Sequence, residues 1–519
     1  MSDDPLLTWK GRRVRSPGES PQTVARKVPE PPLRPGSLFF VPSPLEGWGL
    51  DVLLDRLPAE AAVVVFEKDR ELAQRCASGW TGFLGSRAQD PRLFHLEEDS
   101  EEAVRTLFRK LPLTILRRCE FLTFSGAWMV HAERYRQIFA RLEEGLTRWW
   151  SNRITGVYLG PLWVRNLFDN LAAKTTQWDP WPNWGSDVVL VCGAGTTLEE
   201  VLPWACRHRS SLRLLAADTA LPVLKAWNLV PDAVVCLEAQ HANLRDFAGW
   251  RGAPVPLFAD LTSFPPGTRV FSTPPHWFVS EFADIALWDR WPWTEAEVPR
   301  VPPMGSVGVV AAWVAWRLSR GPVILAGLDF SFPPGKTHAR GAPALASLTA
   351  STNRLRPMEQ VSSWERPGSH PTASGWLTTP VMEGYAGVLA DQARKESHRT
   401  WVWNGYGLPL GLPPWAAQGQ VPRGETSMNI SPAPVFHGPS PLEWVRGERD
   451  RWKSVLSAFE KMNAAPYDEA VWRRLERSLR DIDYITFSFP DPELRRATDW
   501  LSRAQTQVRW LLGRLETRL

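Results

Sequence analysis

The sequence predicts an α/β protein with a Rossmann-like, mainly parallel central sheet, a smaller α/β N-terminal domain and a helical C-terminal region. Three observations predict this. Short apolar runs recur between residues 188 and 330, most of them separated by stretches with helical spacing. Those runs are apolar at nearly every position, as strands buried on both faces must be. Three of them lead into a carboxylate, Asp218, Glu238 or Asp329, at the strand ends where open α/β sheets bind ligands. The length of 519 residues suits about three domains.

Residues 1–36 are expected to form a disordered arm. The stretch Arg12 to Arg34 alternates Arg, Pro, Ser and Gln without apolar periodicity. Residues 37–130 read as the N-terminal α/β domain. Ser37 to Val41 and Ala61 to Phe66 are strands, Leu50 to Leu57 is the helix between them, and Phe121 to Phe124 adds a further strand. Glu67 ends the second strand where a ribose-binding acid would sit. The preceding loop, however, carries two prolines and so offers few N–H groups, which favours a structural sheet. Residues 131–184 read as a helical connector. One helix covers Ala132 to Trp150, with Tyr135, Ile138, Phe139, Leu142 and Leu146 on one face, and a second covers Leu162 to Ala173.

Residues 185–345 hold the central domain. Val188 to Cys192 is a strand, followed by the loop Gly193-Ala194-Gly195-Thr196-Thr197 and a helix from Leu198 to Arg207. Leu212 to Ala216 ends on Asp218, and Ala233 to Leu237 ends on Glu238. Val255 to Ala259 and His276 to Val279 supply more strands. The helix Val307 to Leu318 feeds Val323 to Gly327, which ends on Asp329. Residues 346–438 are rich in Gly, Pro, Ser and Thr and read as an irregular lid or insert, interrupted by a helix from Val381 to Glu396. Residues 439–519 form the helical C-terminal domain. Its apolar faces carry Trp444, Trp452, Val455 and Phe459, then Trp500, Leu501, Val508, Leu511 and Leu515.

The candidate site follows from these positions. Two glycines between a buried strand and a helix let backbone approach a ligand, and the first N–H groups of the helix face an anion. Thr196 and Thr197 add hydroxyls. A dinucleotide loop has a third Gly where this chain has Leu198, so a mononucleotide or nucleotide-sugar phosphate fits better than NAD. The alternative is a turn that merely packs helix on strand. Asp218, Glu238 and Asp329 share the edge where open α/β sheets bind ligands, although such acids also cap helices. Gly335-Lys336-Thr337-His338 lies just beyond Asp329 and is not a phosphate loop, because position 330 is Phe where that motif needs Gly. Lys336 is one of about ten Lys among 60 Lys and Arg. As a functional group it pairs with phosphate or carboxylate, and His338 acts as general base or acid. As a structural feature the turn is simply solvated.

Composition excludes other classes. Net charge is +4, which does not suggest a nucleic-acid coat. The five Cys are scattered and form no metal or disulfide pattern. No run of apolar residues is long enough for a membrane span and the start lacks a secretory pattern, so a cytoplasmic protein is expected. The 29 Trp and the Arg excess suggest guanidinium groups stacked on indole faces.

Two blocks carry a family resemblance: VVLVCGAGTTLEE with LLAADTALPVLKAWNLVPDAVVCLEAQ, and GSVGVVAAWVAWRLSRGPVILAGLDFSFPPGKTHARG. They resemble the central domain of the motility-associated factor (Maf) flagellin glycosyltransferases, which is shared with 6-hydroxymethylpterin diphosphokinase. With a weaker match at LFFVPSP and VVVFEKDRELAQ in the N-terminal domain, the resemblance spans roughly residues 37 to 345. It implies transfer of a nonulosonic, sialic-acid-like sugar from a CMP donor to Ser or Thr of flagellin, with no obligatory cofactor. It places Gly193, Gly195, Thr196 and Thr197 at the nucleotide phosphate, and Asp218, Thr219 and Glu238 near ribose or base. Gly305, Ser306, Asp329, Lys336 and His338 would border donor sugar and acceptor, the last three with catalytic roles. The chain departs from the family in reading Thr196-Thr197 where Pro-Ser is usual, Glu238 where Asp is common, and in its turn Trp403-Asn404-Gly405-Tyr406-Gly407. Two alternatives stand beside this reading. One is diphosphoryl transfer from ATP to a pterin alcohol, with Mg²⁺ on Asp218, Glu238 or Asp329. The other is a non-catalytic flagellar assembly factor.

Overall fold

The computed structural model describes residues 7–519 apart from 175, 284, 356, 358–367, 404–405, 416–437, 465–467 and 490–495, with Ser86 by backbone alone. The chain divides into two compact units, one running to Gly156 and one beginning at Val157.

The first unit is built on four strands: β1 (Ser37–Pro42), β2 (Ala62–Phe66), β3 (Leu93–His95) and β4 (Arg118–Phe121). Their order is β3-β2-β1-β4 and all pairs are parallel. Side chains alternate across a strand, and both faces here are apolar. Phe39, Val41, Val63 and Val65 pack with Leu50, Leu53 and Leu54 of helix α1 (Leu50–Arg56). Leu38, Phe40, Val64 and Phe66 pack with Tyr135, Ile138 and Leu142 of helix α2 (Ala132–Leu171). The last strand begins earlier than the expected Phe121, and β3 was not expected. Residues 7–36 are not a disordered arm. Thr8–Trp9 pairs antiparallel with Arg12–Arg13, Ser20 caps the helix Pro21–Ala25, and Trp9, Val14, Val24 and Val28 are buried. Isolated apolar residues between prolines leave no period to read.

Helix α2 is one helix of 40 residues, not two, and the division between units falls within it. Pro161 lies inside it. A proline removes one N–H and crowds the preceding turn, yet the helix passes through. Beside it Gly160 leaves room for Phe487, whose ring would lie 2.5 Å from an added Cβ.

The second unit holds β5 (Val188–Cys192), β6 (Leu212–Ala217), β7 (Ala233–Cys236), β8 (Leu257–Asp260), β9 (His276–Ser280), β10 (Arg300–Val301), β11 (Val323–Ala326) and β12 (Thr400–Val402). They form an eight-stranded sheet in the order β10-β9-β8-β7-β6-β5-β11-β12, parallel at every pair. This is the Rossmann-like α/β architecture the apolar runs predict. One face (Val188, Leu190, Leu214, Val234) shares a core with helix α3 (Leu198–Arg207). The other face (Val189, Val191, Leu215, Val235) packs with α4 (Val307–Leu318) and α5 (Pro380–Lys395). Helices α6 (Pro441–Ala464), α7 (Glu469–Asp481) and α8 (Thr498–Glu516) belong to the first of these cores rather than to a core of their own. The expected insert contributes β12, α5 and a hairpin pairing His370–Pro371 with Leu377–Thr378. Chain order reverses between β5 and β11, which opens the ligand crevice of such a sheet at their C-terminal ends.

Candidate functional site

The loop after β5 and the loop after β11 meet at that crevice. Gly193 and Gly195 donate backbone N–H bonds to the carbonyls of Ala326 (2.8 Å) and Gly327 (2.8 Å). A Cβ on Gly193 would lie 2.3 Å from the Gly327 carbonyl, and one on Gly195 would lie 2.5 Å from the Asp329 carboxylate. The glycines are therefore required by loop-on-loop packing. Asp329 is buried and occupies the start of α3: it accepts from the Thr197 N–H at 3.0 Å, from the Thr196 hydroxyl at 3.3 Å and from the Thr197 hydroxyl. Burial raises its pKa against these bonds. The donors expected to cradle a phosphate thus already hold an internal carboxylate. This places Asp329 as a positioning group that ties two loops together.

The turn around Lys336 leans on the same helix. Lys336 pairs with Glu199 in the first turn of α3 at 2.8 Å, and the Arg340 N–H donates to the same oxygen at 2.6 Å. Burial would raise Glu199, but these partners hold it below its ordinary value. Ala339 donates to the Ala194 carbonyl at 2.9 Å, so the turn is fastened to the glycine loop. Between them, half-buried His338 sits with Nδ1 3.0 Å from the Thr337 hydroxyl.

Asp218 closes the end of β6. It is 1% exposed, its Oδ1 accepts from the Thr219 N–H at 2.7 Å, and its Oδ2 accepts from Asn243 at 2.9 Å. Asn243 also donates to Asp246 at 3.1 Å. Burial, reinforced by the charge of Asp246, pushes Asp218 up to about 7. Both of its oxygens accept hydrogen bonds, so the carboxyl ties Thr219 to Asn243 at the strand end. Glu238, two residues past β7, is exposed, and its side chain accepts from the Gln240 N–H at 2.9 Å. Its charge, after burial, raises Tyr385 on α5. The Tyr385 ring in turn lies 2.4 Å from where a Cβ on Gly305 would be, and Gly305 has a φ of +70°. Ser306, next in sequence, is the N-cap of α4.

The structure therefore brings Glu238, Gly305, Ser306 and Tyr385 to one side of the sheet edge. Asp218 with Thr219 and the Lys336–His338 turn also end there, the turn against the glycine loop. Asn243, Asp246 and Tyr385 were missed because they lie on loop or helix segments with no motif of their own. Asp260 was missed although it too ends a strand. It is buried, accepts from Thr262 (2.7 Å) and Ser280 (3.0 Å) N–H groups, and is raised by burial. Of the carboxylates expected to hold Mg²⁺, Asp218 and Asp329 are engaged internally and Glu238 is exposed. Asp329 is saturated by Thr196 and Thr197, Asp218 is shared with Asn243, and no His, Cys, Asp or Glu trio is placed to hold a metal among the described residues. Asn404 and Gly405 of the altered turn lie outside the described residues. No described helix is long and apolar enough to cross a membrane.

Comparison with known proteins bears on this geometry. Residues 163–335 match the family model of 6-hydroxymethylpterin diphosphokinase MptE-like proteins. An uncharacterized protein of Treponema pallidum (strain Nichols) is 28% identical over 361 residues, 67% of this chain, and the match spans 60% of that protein's length. A second from the same organism is 31% identical over 88 residues, 17% of this chain and 42% of its own. Among solved structures, a MAf glycosyltransferase from Magnetospirillum magneticum AMB-1 superposes with a TM-score of 0.55 and 13% identity, over 92% of this chain and 79% of that one. The resemblance carried by the two motif blocks is borne out by the family model across the central segment and by the shared fold.

Proposed function

We propose that this chain is a glycosyltransferase that holds a nucleotide-activated sugar at the C-terminal edge of its large sheet. The observation that carries the reading is the placement there of buried Asp218 with Thr219, a loop-anchored Lys336–His338 turn and the Glu238–Tyr385–Ser306 wall, on the fold of a known glycosyltransferase. In this reading the donor is a CMP-linked, sialic-acid-like sugar and the acceptor a Ser or Thr hydroxyl of flagellin or another surface protein. Thr219 and Glu238 meet ribose or base. Asp218 holds Thr219 and Asn243 in place at that edge, and Lys336, shared with Glu199, supplies positive charge toward the phosphate. The bond from the anomeric carbon to the phosphate oxygen breaks, and its electron pair leaves with CMP. The acceptor oxygen bonds to that carbon and its proton passes to His338. Asp329 and the threonines set the two loops and do not touch the donor.

The match to diphosphokinase-like proteins supports a second reading, diphosphoryl transfer from ATP to a pterin alcohol. That transfer relies on a positioned cation, and the neighbouring Asp218, Asp246 and Glu238 are the carboxylates that would have to hold it. A ligand that binds only the folded state raises its melting temperature. CMP and CMP-sugars are expected to raise it, whereas ATP with Mg²⁺ and 6-hydroxymethylpterin are not. His338→Ala keeps the CMP shift and loses sugar transfer to flagellin. A shift with ATP and pterin alone moves the reading to the diphosphokinase, and no shift with any ligand moves it to an assembly factor.

A further inference from the structure

We infer that Trp376 and Tyr406 form a pyranose-binding platform beside the sheet crevice. Their rings are stacked, with centroids 6.2 Å apart and planes 16° from parallel. Tyr406 is 56% exposed, whereas most aromatic side chains of this unit are packed into its cores. Two independent segments carry the pair, and both are fastened to the backbone that follows β11. The hairpin bearing Trp376 joins through Leu377, whose N–H and carbonyl exchange 2.8 Å bonds with Phe332. It joins again through the Thr378 hydroxyl, which donates to the Phe330 carbonyl at 2.8 Å. The turn bearing Tyr406 joins through the Leu408 N–H, which donates to the Asp329 carbonyl at 2.8 Å. Gly407 lies so close that a Cβ there would meet that carbonyl at 2.6 Å. The pair, Tyr406 exposed and Trp376 half-buried, offers an apolar face beside a hairpin that also carries polar groups. His370, paired with Glu383 at 2.9 Å, stands on the same hairpin and the start of α5. That combination suits the apolar face and hydroxyl rim of a pyranose ring.

This rests on the glycosyl-transfer reading, and it names where the sugar lies. The pyranose belongs either to the donor or to a glycan already on the acceptor. The test uses the full chain and saturation-transfer NMR with three probes: CMP-N-acetylneuraminic acid, methyl glycosides of N-acetylneuraminic acid and of N-acetylglucosamine, and CMP alone. Trp376→Ala and Tyr406→Ala are expected to weaken sugar-ring contact about tenfold. Trp376→Phe and Tyr406→Phe retain it, and the CMP melting shift is unchanged in all four. Loss confined to the CMP-sugar marks a donor subsite, and loss confined to the methyl glycosides an acceptor subsite. Sugar binding equal to wild type in both alanine variants overturns the platform. So does a wild-type protein that binds none of the sugars; if the CMP shift survives there, the glycosyl-transfer reading outlives the platform, and if it is also missing, both fall.

Discussion

Asp218 shows what a single position can disclose. A carboxylate at the end of an apolar run is visible in sequence, so its place at the ligand edge was legible. Its state was not, because Asn243 and Asp246 approach from a loop some 25 residues further along. Burial raises this carboxyl to about 7, so the folded state holds the proton more tightly than the unfolded chain does. Stability from this group is full below its ordinary pKa and is lost as pH rises toward the folded value. Asp246, Asp260 and Asp329 are shifted the same way. Asp99, held down to about 2 by Arg134 and Lys68, acts oppositely and only in stronger acid. Asp218→Asn removes one titration, so its melting temperature relative to wild type should climb by about 5 °C between about pH 4.5 and pH 7.5. A difference that stays level across this range would place the titration elsewhere. The Trp excess also resolves at this scale. Arg15 lies 3.7 Å over Trp48, Arg117 3.8 Å over Trp150 and Arg317 4.7 Å over Trp313, as the composition suggested. Other indoles pack edge to face, as in Trp178, Trp291 and Trp293.

At the level of elements, strands buried on both faces announce themselves as apolar runs, and those of the central sheet from β5 to β9, with β11, were legible for that reason. Short strands were not. β3 and β12 have three residues each and sit among polar or Trp-rich neighbours, and α2 was broken in two because Pro161 carries the local signal of a helix end. The glycine loop was seen correctly as a turn, but sequence alone could not tell ligand approach from loop approach. The geometry separates them. Gly327 has a φ of +66°, and a Cβ there would lie 2.3 Å from the Gly193 carbonyl. Gly193→Ala and Gly327→Ala should each destabilise the second unit by roughly 2–4 kcal/mol, read as a fall in urea midpoint at unchanged slope. The double variant should lose less than the sum, because either methyl already pries the same two loops apart. Normal stability with loss of nucleotide binding would instead assign these glycines to the ligand.

Across the whole molecule, the largest difference from the sequence reading is who owns the C-terminal helices. Amphipathic periodicity identified their apolar faces but not what those faces meet, so they read as a domain. Their buried side chains, Trp452 and Trp500 among them, share one core with β5 and β6. The tie is also polar. Glu448 on α6 is 3% exposed and takes both ends of the Arg290 guanidinium at 3.1 Å, from the segment after β9. Tyr484 donates to Glu448 at 3.3 Å and accepts from the Trp452 indole at 2.5 Å. Removing one partner of a buried pair leaves the other charge uncompensated, at a cost of about 3–5 kcal/mol. Glu448→Ala should therefore speed hydrogen exchange in β5, β6 and α6 together, because all three open as one cooperative unit. The strands of the first unit, β1 and β2, should keep their protection, since they lie in a separate core. Were α6 to lose protection while β5 and β6 kept theirs, the helices would be an independent domain after all, and the platform and crevice would belong to a sheet that folds without them.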